Sequence, residues 1–272
     1  MKNALTVDLE DWYNVHNFSR AIRRVDWGTM EPRVEGNTER LLDIFSRHGV
    51  RATFFVLGWI AERHPGLIKE IAARGHEIAT HGLSHRLLTE MSPDLFAAEL
   101  ARSLDLLRGL VSQTVIGFRA PSFSLTRETQ WAVDILRRYG IQYDSSAFST
   151  SVHPDYGLAG SPLSIHRLGD GIMEVPLSCL PLGRFNIPFS GGGYFRLLPY
   201  SLTRRFFKAF NRKIGPVVFY VHPWELDPGQ PRVAVPASKR FRHYFNLRKT
   251  AARLDRLLAE FEFTTVREVL GL

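Results

Sequence analysis

Two histidines four residues apart, His81 and His85, give the segment THGLSH a spacing that suits a metal site. On a helical turn, residues four apart share one face, so both imidazoles can reach the same ion. Imidazole together with carboxylate suits Zn²⁺ and other first-row divalent ions. The spacing alone also fits two histidines in a surface loop, so the acids elsewhere in the chain decide the interpretation.

Three acids, Asp8, Glu10 and Asp11, end the apolar stretch in the segment LTVDLEDW. Buried carboxylates are unfavourable unless they are paired or bind a metal. Side chains alternate along an extended strand, so we expect Asp8 and Glu10 on one side and Asp11 on the other. This parity favours Asp8 and Glu10 as the working pair, although a turn after the strand would exchange Glu10 and Asp11.

Further polar residues lie where other apolar stretches end: Arg119 in FRAPS, Asp144 in YDSS and His222 in YVHPWE. Two histidines and one carboxylate can hold an ion with open coordination positions, which suits hydrolysis of an amide. A second carboxylate could then act as base and His222 as acid, with Arg119 and Asp144 orienting them. Taken singly, Arg119 equally fits a structural ion pair, and His222 a buried core histidine.

The elements that must position these residues alternate between strand and helix along the chain. Apolar runs predict strands at 4–9, 52–58, 76–80, 115–120, 141–146, 172–178, 217–221 and 263–266. Helical patterns predict helices at 37–47, 65–74, 93–110, 127–139, 201–212 and 247–260. Asn37, Ser92 and Asn246 are the predicted caps of three of these helices.

This alternation implies an α/β fold with a parallel sheet. Seven or eight units in 272 residues favour a distorted parallel (β/α) barrel of about seven strands, in a single domain spanning 1–272. The chain lacks the glycine-rich motifs G-x-G-x-x-G and G-x-x-x-x-G-K-[ST], so a nucleotide-binding sheet is disfavoured. In such folds the active site lies at the carboxyl ends of the strands, where the polar residues above are found.

Composition narrows the function classes. The net charge of +8 is dispersed, and its densest run, RRFFKAFNRK at 204–213, predicts a basic helix that is solvated or contacts a membrane surface. No nucleic-acid-binding motif accompanies the charge, so nucleic acid is not an expected partner. The single cysteine, Cys179, excludes an internal disulfide and cysteine-based metal sites. The start resembles no signal peptide, which predicts a cytoplasmic protein, with a position peripheral to the inner membrane as the alternative.

The ordered motifs TVDLED, HGLSH, FRAPS, YDSS and YVHPWE resemble those of polysaccharide deacetylases, the NodB-homology family also called carbohydrate esterase family 4. The resemblance covers residues 4 to about 226. The D-x-E-D start, the segment SGGGYFRLLP at 190–199 and HPWELDP at 222–228 are similar to the exosortase-associated (PEP-CTERM) branch. The resemblance implies a divalent metal, zinc in the first place, and removal of N-acetyl groups from amino sugars of a polysaccharide or oligosaccharide.

The resemblance also implies a role for each matching residue. Asp8 corresponds to the base that activates a water at the metal, and Arg119 corresponds to the partner of that base. His81 and His85 correspond to metal ligands. His222 corresponds to the acid that protonates the amine, and the backbone N–H of Ser122 corresponds to the donor for the oxyanion. Leu9 stands where the family usually has a second Asp, which maps the carboxylate ligand onto Glu10, with Asp11 as the alternative. The fourth motif lacks its usual Asp-Trp pair, and Asp144 is the predicted partner of His222.

The sequence leaves two rival functions open, and it leaves open the role of three aromatic residues. The rival functions are a linear-amide hydrolase of the allantoinase type and a non-catalytic glycan-binding protein on the same scaffold. Trp12, Tyr194 and Trp224 are candidate sugar-stacking surfaces, and burial in the core is an equal interpretation for each.

Overall fold

Runs of apolar, β-branched and aromatic residues form the strands of a curled sheet, and amphipathic segments form the helices that cover it. The computed structural model describes residues 1–150, 158, 160–169, 171–183 and 185–272. The strands are Asn3–Leu9 (β1), Thr53–Val56 (β2), Glu77–Thr80 (β3), Gly117–Phe118 (β4), Tyr143–Asp144 (β5), His166–Leu168 (β6), Ile172–Glu174 (β7), Cys179–Leu182 (β8), Phe185–Pro188 (β9), Val218–Val221 (β10) and Phe263–Thr264 (β11). The α-helices are Val34–Arg47 (α1), Gly58–Arg63 (α2), Pro65–Ala73 (α3), Pro93–Leu110 (α4), Trp131–Arg138 (α5), Gly192–Leu197 (α6), Tyr200–Lys213 (α7), Ala237–Tyr244 (α8), Leu247–Glu260 (α9) and Val266–Leu270 (α10).

Nine strands form one sheet in the order β10, β1, β2, β3, β4, β5, β7, β6, with β11 beside the beginning of β1. Neighbouring strands are parallel except β6 and β7, and β8 and β9 form a separate antiparallel pair. Across the described ranges the sheet stays open between β10 and β6, which makes it a half-barrel. The predicted α/β fold with a distorted parallel barrel is confirmed, with nine strands in place of about seven.

The register of the parallel strands brings the residues that follow them to one edge of the sheet. In β1, Val7 pairs with the last residue of β10, and Leu9 pairs with the last residue of β2. The last residue of β3, Thr80, lies opposite the last residues of both β2 and β4. The next residues along the chain are therefore neighbours at this edge: Glu10, His81, Arg119 and His222.

The three central strands are buried at every position, as parallel strands covered on both faces should be. Their apolar residues form part of a continuous core with the inward faces of the helices. None of the helices in the described part of the chain is long and apolar enough to cross a bilayer.

The predicted strands compare closely with the observed ones. Each of the eight predicted strands overlaps an observed strand, and the predictions miss β6, β8 and β9. These three are short, antiparallel and partly exposed, so they lack the continuous apolar pattern that marks a buried parallel strand. The prediction at 52–58 runs too far, because β2 ends at Val56 and α2 begins at Gly58.

Helix α1 begins three residues before its predicted cap, so Asn37 lies inside the helix and the predicted capping role is wrong. The carboxylate of Asp11 takes that place: its Oδ2 accepts the N–H of Arg33 at 2.7 Å and the N–H of Val34 at 3.0 Å. A carboxylate is favourable there because the first N–H groups of a helix lack intrahelical partners and carry partial positive charge. Asp11 therefore ties the end of β1 to the start of α1.

The other two predicted caps have different outcomes. Ser92 accepts the N–H of Leu95 and caps α4 as predicted. Asn246 directly precedes α9, but its side chain donates to the carbonyl oxygen of Arg196 at 3.0 Å and does not cap the helix. That hydrogen bond connects the start of α9 to α6.

Candidate active site

A carboxylate and two imidazoles meet at the edge of the sheet where β1 and β3 end. The Oε1 atom of Glu10 lies 3.3 Å from Nε2 of His81 and 3.1 Å from Nε2 of His85. All three side chains are buried, and their ligand atoms lie within 4.8 Å of one another. Burial alone would raise the pKa of Glu10, but the neighbouring imidazoles of His85 and His81 hold that pKa well below its ordinary value. The fold thus brings together the three ligands predicted from the sequence.

The orientation of His81 leaves one ring nitrogen for an ion. Its Nδ1 lies 2.8 Å from the carbonyl oxygen of Arg119, which can only accept, so Nδ1 carries the proton of the neutral ring. Nε2 then holds a lone pair, is buried, and has no hydrogen-bond partner among the described residues. A buried lone pair that faces the carboxylate of Glu10 needs a cation between them, because two acceptors otherwise repel. The residues present therefore fit a metal with imidazole and carboxylate ligands.

The loop that carries both histidines is fixed by the first turn of α2. The N–H of Gly58 donates to the carbonyl of Gly82 at 2.8 Å, and the N–H of Trp59 donates to the carbonyl of Leu83 at 3.0 Å. A Cβ on Gly58 would lie 2.8 Å from Cδ1 and 3.2 Å from Cα of Leu83, so glycine permits this approach. His85 itself has a φ of 55°, a conformation unfavourable for a side-chain-bearing residue that the surrounding contacts must maintain.

A buried ion pair, Asp8 and Arg119, lies beside this cluster. Nη1 of Arg119 donates to Oδ1 of Asp8 at 2.6 Å and to Oγ1 of Thr6 at 2.9 Å. Its Nε and Nη2 donate to the carbonyl oxygen and to Oγ of Ser145 at 3.0 and 2.8 Å. These bonds fix the guanidinium and hold Oδ1 of Asp8, while Oδ2 of Asp8 faces His222.

His222, directly after β10, faces both acids. Its Nε2 lies 3.8 Å from Oδ2 of Asp8 and 4.0 Å from Oε1 of Glu10, and its Nδ1 lies 2.7 Å from Oε1 of Glu225. Burial alone would lower the pKa of His222, but the hydrogen bond to Glu225 and the negative charges of Glu10, Glu225 and Asp8 raise it to about 9. His222 therefore carries a proton at neutral pH, and its Nε2–H points toward the two acids.

Comparison with known families covers two of the five motifs, HGLSH and FRAPS, in the deacetylase match. Residues 25–143 match the polysaccharide deacetylase family model. This part of the chain is similar to polysaccharide deacetylases. Residues 145–271 match a second family model, described as a domain of unknown function (DUF3473). The deacetylase match supplies both histidine ligands and Arg119, whereas His222 and Glu225 lie in the second match.

Two curated relatives carry deacetylase names. The peptidoglycan-N-acetylglucosamine deacetylase of Bacillus cereus is 29% identical over 120 residues, which are 40% of this chain and 44% of that protein. The chitooligosaccharide deacetylase of Rhizobium leguminosarum bv. trifolii is 31% identical over 101 residues, 37% of this chain and 44% of that protein. Each match thus spans less than half of the relative's own length.

The fold has solved counterparts. A protein from Mycobacterium smegmatis named as a polysaccharide deacetylase superposes with a TM-score of 0.60 at 19% identity, covering 100% of this chain and 90% of the other. At this identity the likeness establishes the fold. It extends beyond the residues of the deacetylase match, so the deacetylase fold continues through the second match to β10 and β11.

In this deacetylase fold the two neighbouring acids, Glu10 and Asp11, face different partners. Glu10 faces His81 and His85, as described above. Oδ1 of Asp11 accepts the N–H of Trp12 at 2.8 Å, and Oδ2 accepts two N–H groups at the start of α1. Burial raises the pKa of Asp11, although these N–H groups lower it. The structure therefore places Glu10 beside the two histidines and Asp11 at the start of α1.

The prediction that Asp144 pairs with His222 is wrong, because Glu225 is the hydrogen-bond partner of Nδ1 of His222. Asp144 on β5 lies opposite Glu174 on β7, and its Oδ1 accepts a hydrogen bond from Ser146 at 2.5 Å. Burial raises the pKa of Asp144 to about 6, and burial together with the charge of Asp144 raises the pKa of Glu174 well above its ordinary value. Asp144 thus belongs to a carboxyl pair far from β10 in the strand order.

A cavity of about 440 Å³ opens beside the candidate site. The residues that line it include Asp8, Glu10 and His222, together with Tyr194 of α6 and Phe241 of α8. Ser122, the predicted oxyanion donor, also lines the cavity. It has a φ of 51°, so its turn has an unusual backbone conformation at this position.

The three residues predicted to stack on sugars have different environments in the structure. Tyr194 lines the cavity. Trp12 is 4% exposed and packs edge-on against Tyr13, so its predicted role as a sugar surface is wrong. Trp224 is 5% exposed, with its ring stacked on His222 at 5.0 Å and on His243 at 4.2 Å between centroids. Both faces of the Trp224 ring are thus covered by protein, which leaves no face for a sugar.

Sequence reasoning missed two residues of the site, Glu225 and Arg196. Glu225 stands three residues after His222 in HPWE, and a carboxylate at that spacing can turn back onto the histidine when the strand ends in a tight helical turn, as it does at Pro223–Leu226. Arg196 lies in SGGGYFRLLP, and its Nε donates to Oε2 of Glu225 at 2.6 Å. The spacing in HPWE could have indicated the role of Glu225. The contact of Arg196 with Glu225, which joins positions 29 residues apart, had no signal in the sequence.

Proposed function

We propose that this chain is a metal-dependent hydrolase that removes N-acetyl groups from amino sugars of a polysaccharide. One observation carries the proposal: a base, an acid and a metal-type ligand set converge at one cavity. Nε2 of His222 lies 3.8 Å from Asp8 and 4.0 Å from Glu10, while Glu10 contacts His81 and His85. The deacetylase match over 25–143 and the names of the curated relatives support this choice of reaction.

Glu10, His81 and His85 would hold a divalent ion, and zinc is our first choice because its ligand preferences include imidazole and carboxylate. When bound, such an ion supplies Lewis-acid polarisation of the amide carbonyl. The backbone N–H of Ser122 is our proposed second donor toward the oxyanion, since Ser122 lines the same cavity.

Asp8 is the proposed general base. Arg119 holds its Oδ1, so Oδ2 is the oxygen directed at the cavity. Oδ2 takes a proton from the water that attacks the acetyl carbonyl, and the resulting tetrahedral adduct collapses to acetate and an amine.

His222 is the proposed general acid. Its pKa of about 9 keeps it protonated at neutral pH, so Nε2–H can donate to the leaving nitrogen as the C–N bond breaks. One water is consumed, and one acetate and one free amine are produced.

The size and lining of the cavity support our proposal of an extended glycan as substrate. Its volume of about 440 Å³ lies within the range of small-molecule sites, and its outer wall carries Tyr194, Leu197 and Phe241. Leu197 and Phe241 are 51% and 54% exposed, which leaves apolar surface at the mouth on which sugar rings can stack. We therefore expect an N-acetylated oligosaccharide or polysaccharide, with the rings that flank the reacting sugar lying along α6 and α8.

We assign the chain to the exosortase-associated branch as part of the same proposal. Two segments that resemble this branch, 190–199 and 222–228, contribute Arg196, Tyr194 and Glu225 to the site. A chain of this branch should act on an exported polysaccharide, and activity confined to peptidoglycan fragments would contradict the assignment.

Acetate release tests the proposed function. Zinc-loaded protein should release acetate from N-acetylated chitooligosaccharides, and His81→Ala should lose both bound zinc and acetate release. Release from small linear amides but not from glycans would favour the allantoinase type instead. Saturable glycan binding without acetate release would identify a non-catalytic binding protein.

A further inference from the structure

Arg196 and Glu225 form an ion pair that is almost completely buried. Their side chains are 2% and 1% exposed, and Nε of Arg196 lies 2.6 Å from Oε2 of Glu225. Removing two charges from water is expensive, and an apolar pair of similar volume is often as stable. The position of this pair therefore needs an explanation beyond stability.

Glu225 connects the pair to the proposed acid. Its Oε2 accepts from Arg196, and its Oε1 lies 2.7 Å from Nδ1 and 3.2 Å from the backbone N of His222. A carboxylate only accepts, so Nδ1 of His222 carries the proton in this hydrogen bond. The imidazole is thus held with Nδ1 toward the protein interior and Nε2 toward the cavity.

Arg196 is itself anchored at several points. Nη1 donates to the carbonyl oxygens of His243 and Phe245 at 2.8 Å each, and Nη2 donates to the carbonyl of Arg242 at 3.0 Å. These carbonyls belong to the end of α8 and the turn that follows it. The guanidinium therefore holds Glu225 from a rigid platform, and a lysine with one ammonium group could not reproduce this fork.

Stacking fixes the remaining freedom of the imidazole. The ring of Trp224 lies 5.0 Å from the ring of His222 at an interplanar angle of 27°, and 4.2 Å from the ring of His243 at 9°. Nε2–H of His243 also donates to Oε1 of Gln230 at 2.7 Å, so the far side of the stack is held as well. The hydrogen bond to Glu225 and this stack together define the plane and the direction of the His222 ring.

We propose that Glu225 and Arg196 are positioning residues that hold His222 with its Nε2–H directed at the leaving nitrogen. The inference rests on the proposed function and extends it to the half of the chain whose family model has no assigned function. On this proposal, residues 145–271 supply both the acid and its support. Arg196 acts on the reaction only through Glu225.

The test compares variants of the pair with a matched control, a residue of α9 that contacts α6. The test variants are Glu225→Ala, Glu225→Gln and Arg196→Lys. The control is Arg253→Ala, because Arg253 donates to the carbonyl oxygens of Arg196 and Leu198 and so supports α6 without contacting Glu225. The measurements are kcat and KM for acetate release from chitotetraose, bound zinc, thermal unfolding, and the ¹⁵N NMR signal of His222 Nδ1–H.

Glu225→Ala should lower kcat by about 100-fold or more with KM changed by less than about 3-fold, in the range expected for loss of a functioning general acid. Glu225→Gln should retain more activity, because an amide oxygen can still accept from Nδ1–H. Arg196→Lys should lose about 10-fold or more, as is common for outer residues that orient a reacting group. All variants should keep zinc, and the hydrogen-bonded Nδ1–H signal should vanish in Glu225→Ala and persist in Arg253→Ala.

A purely structural pair would give a different pattern. Arg253→Ala would then lose kcat in parallel with its loss of thermal stability, as the pair variants do, and Glu225→Gln would resemble Glu225→Ala. Should Glu225→Ala fail to fold, the comparison of Glu225→Gln with Arg253→Ala decides between the two. The proposed function itself would be overturned if the wild-type protein released no acetate from any N-acetylated glycan. Only this inference would be overturned if the wild type, Glu225→Gln and Arg196→Lys were all fully active.

Discussion

Exchanging the two neighbouring acids one at a time should separate a metal ligand from a helix cap. Glu10→Gln removes the carboxylate that faces His81 and His85, and Asp11→Ala removes the carboxylate at the start of α1. We expect Glu10→Gln to lose the metal with little change in the stability of the metal-free protein. We expect Asp11→Ala to keep the metal and to unfold more easily.

The size of the Asp11 effect follows from its contacts. Its carboxylate accepts three backbone N–H groups, those of Trp12, Arg33 and Val34. A hydrogen bond contributes about 1 kcal/mol net, and an N-cap about 0.5–2 kcal/mol, so the loss should be about 2–3 kcal/mol. At about 2–4 °C per kcal/mol for a chain of this size, Tm should fall by roughly 5–10 °C.

The assay measures zinc content after dialysis at a fixed free zinc concentration, together with thermal unfolding of the metal-free forms. Glu10→Gln should weaken zinc binding by more than about 100-fold, because loss of a ligand exceeds the effect of outer residues. Asp11→Asn serves as the control, since its amide oxygen can still accept at the helix start and should retain part of the stability. Zinc retained by Glu10→Gln and lost by Asp11→Ala would refute the assignment, and an unchanged Tm in Asp11→Ala would refute the capping role.

Three further predictions concern protons. Asp8→Asn should keep zinc and reduce kcat for acetate release by about 100-fold or more, because the amide cannot take the proton. Loss of zinc from this variant would show that Asp8 is a ligand instead. For kcat, the basic limb of the pH profile should fall near pH 9, since His222 must be protonated and its raised pKa is about 9; a limb unaffected by Glu225→Gln would contradict the role of that hydrogen bond. Burial raises the pKa of Asp144 and Glu174 in the folded state, so ionising them costs stability. The free energy of unfolding, measured by urea titration, should therefore decline as the pH rises from about 4 to above 6. Glu174→Gln should make this decline smaller.

The sequence predicted the parallel part of the fold well, because strands buried on both faces are nearly continuous apolar runs. The run TFFV in β2 is such a case. The hairpin of β8 and β9 could not be predicted in this way, because apolar and polar residues are mixed in its strands, which also include Pro181 and Pro188. Its pairing is decided by contacts with the rest of the molecule rather than by local preference.

The site was predictable to the extent that each residue follows a strand. Side-chain alternation in β1 placed Asp8 and Glu10 together, and the carboxyl-end rule gathered His81, Arg119 and His222. The rule failed for Asp144, because the pairing of β5 with β7 directs it to Glu174. It also gave no role to the turn after β10, where Glu225 comes back to His222.

The position of β1 in the sheet has a consequence for how the protein is synthesised and folded. One neighbour of β1 is β2, synthesised soon after it, but the other is β10, more than 200 residues later in the chain. At about 5–20 residues per second, a growing chain spends roughly 7–27 s between the synthesis of His85, which completes the proposed metal ligands, and the synthesis of β10, which covers this edge of β1. During this interval the nascent chain contains the proposed metal ligands but lacks His222, the proposed general acid. Such an exposed edge also invites pairing with another chain, which makes this interval the period in which aggregation is most probable and chaperone binding most useful.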